Sequence, residues 1–136
     1  MRIVIDTNVL ISALFFNKFP AKFLEFALYS KEIKVIVTTE IISEYKRVDN
    51  EFAQKARRYA QNKTLSDVLC IFETISSKSN VKISRDRDDN KFIACAIDGK
   101  CKYIVSGDKH LLELKSHENV EIVTVRKFMD EYAADL

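Results

Sequence analysis

Two acidic residues stand at positions where parallel strands would bring them together. Asp6 directly follows the apolar run at residues 3–5, and Asp108 comes three residues after the run at residues 103–105. Short β-branched runs of this kind are typical of buried strands. Because the carboxyl ends of parallel strands meet at one edge of a sheet, we expect the two carboxylates to converge there. Each side chain could instead cap the helix that follows it.

Two further acids border apolar stripes of predicted helices. Asp89 heads a stripe whose other members, at helical spacing, are Phe92, Ile93 and Ala96. A carboxylate on a core-facing stripe is costly unless something compensates its charge. Glu44 borders a stripe made of Ile41, Tyr45 and Val48, although an ordinary surface glutamate would fit that position as well.

Carboxylates gathered at one place require a compensating charge. Two of them about 4 Å apart repel by roughly 4 kcal/mol at an effective dielectric constant of about 20. Protons, arginines or divalent cations can offset this repulsion, and ligands that are all oxygen favour Mg²⁺ or Mn²⁺ over zinc. Such a cation can bind a phosphate oxygen, help ionise an attacking water and stabilise the leaving oxygen of a phosphodiester. The candidate metal-ligating and catalytic residues are Asp6, Glu44, Asp89 and Asp108.

The composition indicates one globular α/β unit. The 136 residues are enough for a single core and predict one domain over residues 1–136. Only two glycines and one proline are present, which argues against a sandwich rich in tight turns. The net charge is +2, but setting aside the four candidate acids leaves 22 basic side chains against 16 acidic ones. An acidic pocket in a basic surround suits a phosphate polymer, although a mixed solvated surface would look the same.

The remaining polar motifs exclude several classes of protein. The three cysteines, Cys70, Cys95 and Cys101, are odd in number and contain no Cys-x-x-Cys pair, so neither a disulfide framework nor a zinc ribbon is expected. The two histidines, His110 and His117, do not make a zinc set. The start of the chain shows no secretory signal, and no apolar stretch could span a bilayer. We therefore expect a cytoplasmic protein without a membrane partner.

Strand and helix patterns alternate along the chain. Strands are expected at residues 3–5, 35–37, 81–83, 103–105 and 120–123. Helices are expected at residues 9–14, from Pro20, at 39–48, in two parts over 51–77, at 89–98, near 111–114 and at 125–132. Alternation of this kind predicts an α/β fold, with a central parallel sheet of about five strands and helices on both faces.

These residues together resemble the PIN domain over nearly the whole chain. The resemblance rests on Asp6-Thr7-Asn8 after the first strand, Glu44 on the helix after the second, Asp89 at the head of an inward helix, and Ser106-Gly107-Asp108. Residues 88–93 and 106–112 are most similar to PIN toxins of prokaryotic toxin–antitoxin pairs, the VapC-like ribonucleases. The resemblance implies a three-layer α/β/α fold, Mg²⁺- or Mn²⁺-dependent cleavage of RNA, and metal binding by the four acids.

The resemblance also implies roles for neighbouring residues and partners. Asn8 would orient Asp6, and Ser106 would hydrogen-bond within the acidic cluster. His110 stands where many members of the family have a second acid, so a second metal position is open, and His110 could contact substrate or a carboxylate instead. A homodimer and an antitoxin protein that blocks the site are implied as partners. RNA contacts would come from basic residues near the pocket: Lys46, Arg47, Lys55, Arg57, Arg58, Arg85 and Arg87.

Three other functions compete with this interpretation. A phosphatase of the haloacid-dehalogenase type needs a second aspartate two residues after the first, where this chain has Asn8. A phosphorylation receiver domain needs an acidic pair after the first strand and an acceptor aspartate after the third, where Ser84 and Arg85 stand. The third alternative is a catalytically inactive PIN-like module that binds RNA or protein. Because all four acids are present, we favour the nuclease.

Overall fold

A six-stranded, mostly parallel sheet forms the centre of the fold. The computed structural model describes residues 1–16, 19–55, 63–79 and 87–132. The strands are β1 (Arg2–Ile5), β2 (Lys34–Val37), β3 (Glu73–Thr74), β4 (Tyr103–Val105), β5 (Ser116–His117) and β6 (Val120–Val123). The helices that flank them are α1 (Thr7–Phe15), α2 (Phe19–Tyr29), α3 (Thr39–Lys55), α4 (Leu65–Leu69), α5 (Asn90–Asp98), α6 (Lys109–Leu114) and α7 (Val125–Lys127). The expected α/β class is confirmed.

The strand order creates a crevice in the middle of the sheet. The order is β3-β2-β1-β4-β6-β5, and all pairings except that of β5 with β6 are parallel. From β1 the chain first builds outward through β2 and β3, then returns to β4 on the other side of β1. Loops leaving the carboxyl ends of β1 and β4 therefore diverge, and such a switch point is where open α/β sheets bind their ligands.

The strands at this switch point are the most deeply buried part of the molecule. Ile3, Val4 and Ile5 of β1 are fully buried, as are Ile104 and Val105 of β4. Helix α5 packs against β1, β2, β4 and β6 through an apolar face, so these central strands are covered by a helix. Continuous β-branched runs are the sequence expected of parallel strands in this setting. The core thus holds the two central strands rigidly in register.

Local hydrogen bonds set where the helices begin. The carboxylate of Asp6 accepts from the backbone N–H of Thr7 at the start of α1, and that of Asp108 accepts from two N–H groups at the start of α6. Thr64 and Asp67 form a reciprocal capping box on α4. Within the described residues, no helix is long and apolar enough to cross a membrane.

The prediction for residues 51–77 is partly wrong. Helix α3 continues without a break to Lys55, and α4 covers only Leu65–Leu69. Residues 73–74 are not helical but form the edge strand β3, and the N–H of Ile75 just beyond it donates to Val37 O. The exposed edge of β2 supplies backbone partners there, which helical propensity does not register. The strand predicted at residues 81–83 lies outside the described residues.

The structure also contains a strand, β5, that was not expected from the sequence. Ser116–His117 forms β5 antiparallel to β6, through a two-residue loop in which Glu118 and Asn119 have φ of 47° and 69°. Two consecutive positive φ values are typical of the tight turns that join hairpin strands. The predicted closing helix at residues 125–132 is present as one turn of α7 followed by the π-helical turn Phe128–Tyr132.

Gly99 at the end of α5 offers a direct test of this packing. A Cβ there would lie 2.9 Å from both Cys95 O and Ile36 Cγ2, and the first of these is backbone that cannot easily move. Gly99→Ala should lower the free energy of unfolding by about 1–3 kcal/mol because of this overpacking, as measured by urea denaturation. At Gly107 a Cβ meets nothing within 4 Å. Gly107→Ala is therefore the matched control, and equal losses in the two variants would contradict the packing described.

Candidate active site

Asp6 lies at the switch point of the sheet and is nearly buried. Its side chain is 4% exposed, and its backbone N–H donates to Val105 O of the neighbouring strand at 2.9 Å. Carboxylate oxygen Oδ1 accepts from the N–H of Thr7 at 2.7 Å, and Oδ2 accepts from the hydroxyl of Ser106 at 2.6 Å. Asp6 therefore caps α1 and also joins β1 to the loop after β4.

Ser106 connects Asp6 with Asp108. It is fully buried directly after β4, and its Oγ both donates to Asp6 and accepts from the N–H of Asp108 at 2.9 Å. Oδ1 of Asp108 accepts from the N–H groups of His110 and Leu111 at 2.7 and 3.2 Å. The expected hydrogen bonding of Ser106 within the acidic cluster is present, and Asp108 is both part of that cluster and the cap of α6.

Glu44 reaches the same edge of the sheet from α3. Its Oε2 accepts a hydrogen bond from the hydroxyl of Thr7, the residue next to Asp6. Its Oε1 lies 2.5 Å from the ammonium of Lys91, and the Lys91 and Glu44 side chains are only 11% and 14% exposed. Glu44 is therefore not an ordinary surface glutamate but a half-buried part of the acidic edge.

A buried tyrosine beside Glu44 fixes α3 against the end of β1. The Tyr45 side chain is fully buried, and its hydroxyl donates to the carbonyl of Ile5, one residue before Asp6. Burial raises the pKa of Tyr45 well above its usual value, and the nearby carboxylates of Asp6 and Glu44 raise it further. The tyrosine is thus a neutral hydrogen-bond donor that sets the distance between the two acid-bearing elements.

Asp89 enters from the start of α5. It is 6% exposed, ends the 3₁₀ turn Arg87–Asp89, and makes no side-chain cap on α5. Two residues later on the same helix start, Lys91 pairs with Glu44. The predicted burial of Asp89 is present, and α5 carries it into the region where α3 and the sheet edge meet.

The pKa of Asp6 reflects its burial and the acidic side chains near it. Burial raises the pKa of the Asp6 carboxyl, while the hydrogen bonds from Ser106 and Thr7 lower it. The negative charges of Asp108 and Glu44 then raise it again. The charges of two other candidate acids, carried by different elements, therefore act on Asp6. Asp89 lies two residues before Lys91, which pairs with Glu44.

The other expected residues divide into three groups. The orienting contacts to Asp6 come from Thr7 and Ser106 rather than from Asn8, whose side chain is exposed. His110 is exposed and contributes only its backbone N–H to Asp108. On α3, Lys46 and Lys55 are exposed and Arg47 forms an exposed pair with Glu51 at 3.0 Å. Arg57, Arg58 and Arg85 lie outside the described residues, as does the side chain of Arg87.

The oxygen-only donor set suits a hard divalent cation such as Mg²⁺ or Mn²⁺. In residues 1–16, 19–55, 63–79 and 87–132, however, no three His, Cys, Asp or Glu side chains stand close enough together to hold a metal ion. Both oxygens of Glu44 have partners in this arrangement, the ammonium of Lys91 and the hydroxyl of Thr7. The candidate acids fit such a cation by the chemistry of their oxygen donors.

Sequence reasoning missed three residues of this site: Thr7, Tyr45 and Lys91. Each acts through a partner 37 to 47 positions away in the sequence, so no local spacing pattern reports it. For Lys91 the sequence carries one signal, because a charged residue stands directly before Phe92, the first apolar member of the stripe that Asp89 heads. Burial raises the pKa of Cys95 and of Cys101 to about 12, so these two thiols are poor nucleophiles at neutral pH.

Comparison with known proteins agrees with this architecture. The family model for the PIN domain matches residues 2–110, which span every candidate acid. The chain is also 30% identical to an uncharacterized protein of Methanocaldococcus jannaschii, over 97% of this chain and 92% of the relative. The sheet order, the acidic switch point and these two matches lead to one conclusion: the chain belongs to the PIN domain family.

Proposed function

We propose that this protein is a metal-dependent endoribonuclease that hydrolyses RNA phosphodiester bonds. The PIN domain is a nuclease-type fold, and that membership supports a hydrolase. The observation that carries the proposal is the environment of Asp6, which is 4% exposed at the switch point and has Asp108 and Glu44 as negative neighbours. A buried carboxylate among like charges destabilises a fold, so its presence favours a functional role.

The residues that would hold Mg²⁺ or Mn²⁺ are Asp6, Glu44, Asp89 and Asp108. When bound there, the cation would supply Lewis-acid chemistry at a phosphate oxygen and a water. The chain's own residues position the donors: Ser106 and Thr7 fix the two oxygens of Asp6, and Tyr45 fixes α3 against β1. No side chain at the site needs to act as a nucleophile, because water attacks phosphorus and the bond to the leaving oxygen breaks.

We propose RNA as the substrate class because of exposed basic residues on the protein and because of its membership of the PIN domain family. Lys46 and Arg47 are exposed on α3, the helix that carries Glu44, and Arg47 pairs with Glu51, so basic groups lie on the outer surface of that helix. Such groups bind the phosphate backbone without reading sequence. For the cellular role we propose the toxin of a toxin–antitoxin pair, a homodimer whose antitoxin covers the acidic edge. A small partner gene directly upstream would support that role.

Replacing Asp6 by asparagine tests the proposed chemistry. Loss of a residue that only supports a metal ligand costs about 10- to 100-fold, so Asp6→Asn should reduce RNA cleavage at least about 100-fold. The assay is cleavage of a randomised pool of single-stranded RNA in millimolar Mn²⁺, with the same sequences as DNA for comparison. Asp130→Asn, at an exposed carboxylate on the closing turn, is the matched control and should cleave like wild type.

The outcomes of the cleavage assay separate the competing functions. Full activity in a folded Asp6→Asn variant would exclude the proposed site. A wild-type protein that binds the RNA pool but does not cleave it with any divalent cation would favour a non-catalytic binding module. Cleavage of DNA in preference to RNA would keep the metal chemistry and overturn the substrate class.

The same substitution should make the metal-free protein more stable. Asparagine keeps one oxygen for the N–H of Thr7, so α1 keeps its cap, and its amide can donate to Ser106 Oγ in place of the hydrogen bond that Oδ2 of Asp6 accepts. A buried negative charge beside Asp108 and Glu44 is removed at the same time. We expect the free energy of unfolding to rise by about 1 kcal/mol, as is common when functional residues are replaced. Urea denaturation at neutral pH with a chelator measures it. A clear fall would show that the charge of Asp6 is structural.

A further inference from the structure

Lys91 is an unexpected cation inside the acidic edge. Its ammonium lies 2.5 Å from Oε1 of Glu44, and its side chain is only 11% exposed. Lysines are among the residues least often buried, because their charge is strongly hydrated. Here the charge is largely withdrawn from water and pairs with the carboxylate of Glu44. The pair is therefore a specific feature of this site and not a chance contact between two mobile surface chains.

Both oxygens of Glu44 have partners, and one of these partners is a cation. Lys91 engages Oε1, while Oε2 accepts the hydroxyl of Thr7. Among the described residues, Asp6 is held instead by neutral donors, the N–H of Thr7 and the hydroxyl of Ser106. A cation that approaches Asp6 and Asp108 therefore meets a site in which one expected ligand is already neutralised by a positive charge.

We propose that Lys91 is a built-in counter-cation that competes with the divalent metal ion for Glu44. This inference rests on the proposed metal-dependent function and adds a loading step to it. In the metal-free protein, Lys91 compensates Glu44 and keeps the half-buried carboxylate stable. When the metal ion binds, Glu44 gives up the ammonium and turns to the metal, so the ion pair sets the metal concentration at which the site fills.

Competition predicts two effects of opposite sign when the lysine charge is removed. Lys91→Met leaves Glu44 uncompensated, so the metal-free protein should become less stable. It also removes a positive charge next to the place where a divalent cation binds, so metal affinity should rise. A purely structural tie between α3 and α5 predicts lower stability with unchanged or weaker metal binding. The sign of the change in affinity therefore decides between the two.

The experiment is a Mn²⁺ titration of the whole protein, followed by the electron paramagnetic resonance signal of free Mn²⁺. Lys91→Met should lower the Kd about tenfold, the effect of a modest electrostatic term. Lys91→Arg keeps the charge and should bind like wild type. Lys102→Met, at an exposed lysine before β4 at the opposite end of the strands, controls for loss of net charge and should also bind like wild type. An unchanged or higher Kd in Lys91→Met would overturn the inference.

Titrating wild type and Asp6→Asn beside Lys91→Met distinguishes failure of this inference from failure of the proposed function. If wild type binds Mn²⁺, Asp6→Asn does not, and Lys91→Met matches wild type, the metal site stands and the competition is wrong. If neither wild type nor Lys91→Met binds Mn²⁺, both the competition and the metal dependence of the proposed nuclease are wrong. Binding by Lys91→Met alone would support competition most strongly.

A second measurement covers the case in which Lys91→Met does not fold. The ¹⁵Nζ resonance of a lysine ammonium is observable when a partner and burial slow its exchange with water. Wild-type protein without metal should show one such resonance, assigned to Lys91 by its loss in Lys91→Arg. Saturating Mg²⁺ should remove it as the ammonium leaves Glu44. A resonance that persists unchanged at saturating Mg²⁺ would overturn the competition.

Discussion

The parallel pairing of β1 with β4 is the contact on which the site depends. It aligns Ile5 with Val105, and the next residue along each strand is Asp6 or Ser106. The N–H of Asp6 continues the ladder to Val105 O, so the carboxylate and the serine hydroxyl meet at 2.6 Å without any contribution from loop conformation. A slip of one residue in this register would send alternate side chains to the wrong face and separate the two groups.

Local polar partners make this concentration of charge at the edge of the hydrophobic core tolerable. The strands that end at the site are buried. Helix α5 packs against them, and the Tyr45 hydroxyl donates to the carbonyl of Ile5. The acids are compensated locally and differently: Asp6 by neutral donors, Asp108 by the N–H groups that begin α6, and Glu44 by an ammonium. Hydrogen bonds and one ion pair thus offset the repulsion that would otherwise oppose folding, and they remain exchangeable.

The site could be predicted from the sequence where strong rules connect distant residues. The carboxyl ends of parallel strands share one edge of a sheet, and this rule predicted that Asp6 and Asp108 lie near each other. Helical spacing predicted that Asp89 is buried. The contacts of Lys91 and Tyr45 could not be predicted, since both depend on how α3 and α5 pack. The strand at residues 73–74 was missed because two residues carry no periodicity, and a neighbouring strand edge decides their conformation. Asn8 was assigned an orienting role that Thr7 performs here.

We propose that the four carboxylates form one metal site. The most direct measurement is calorimetric titration of Mn²⁺ into metal-free wild-type protein beside an Asp6→Asn/Asp89→Asn double variant, with circular dichroism to show that the variant is folded. These two acids come from different elements, after β1 and before α5. We expect binding to wild type that disappears in the folded double variant. Equal binding by both proteins, or none by wild type at millimolar Mn²⁺, would contradict it.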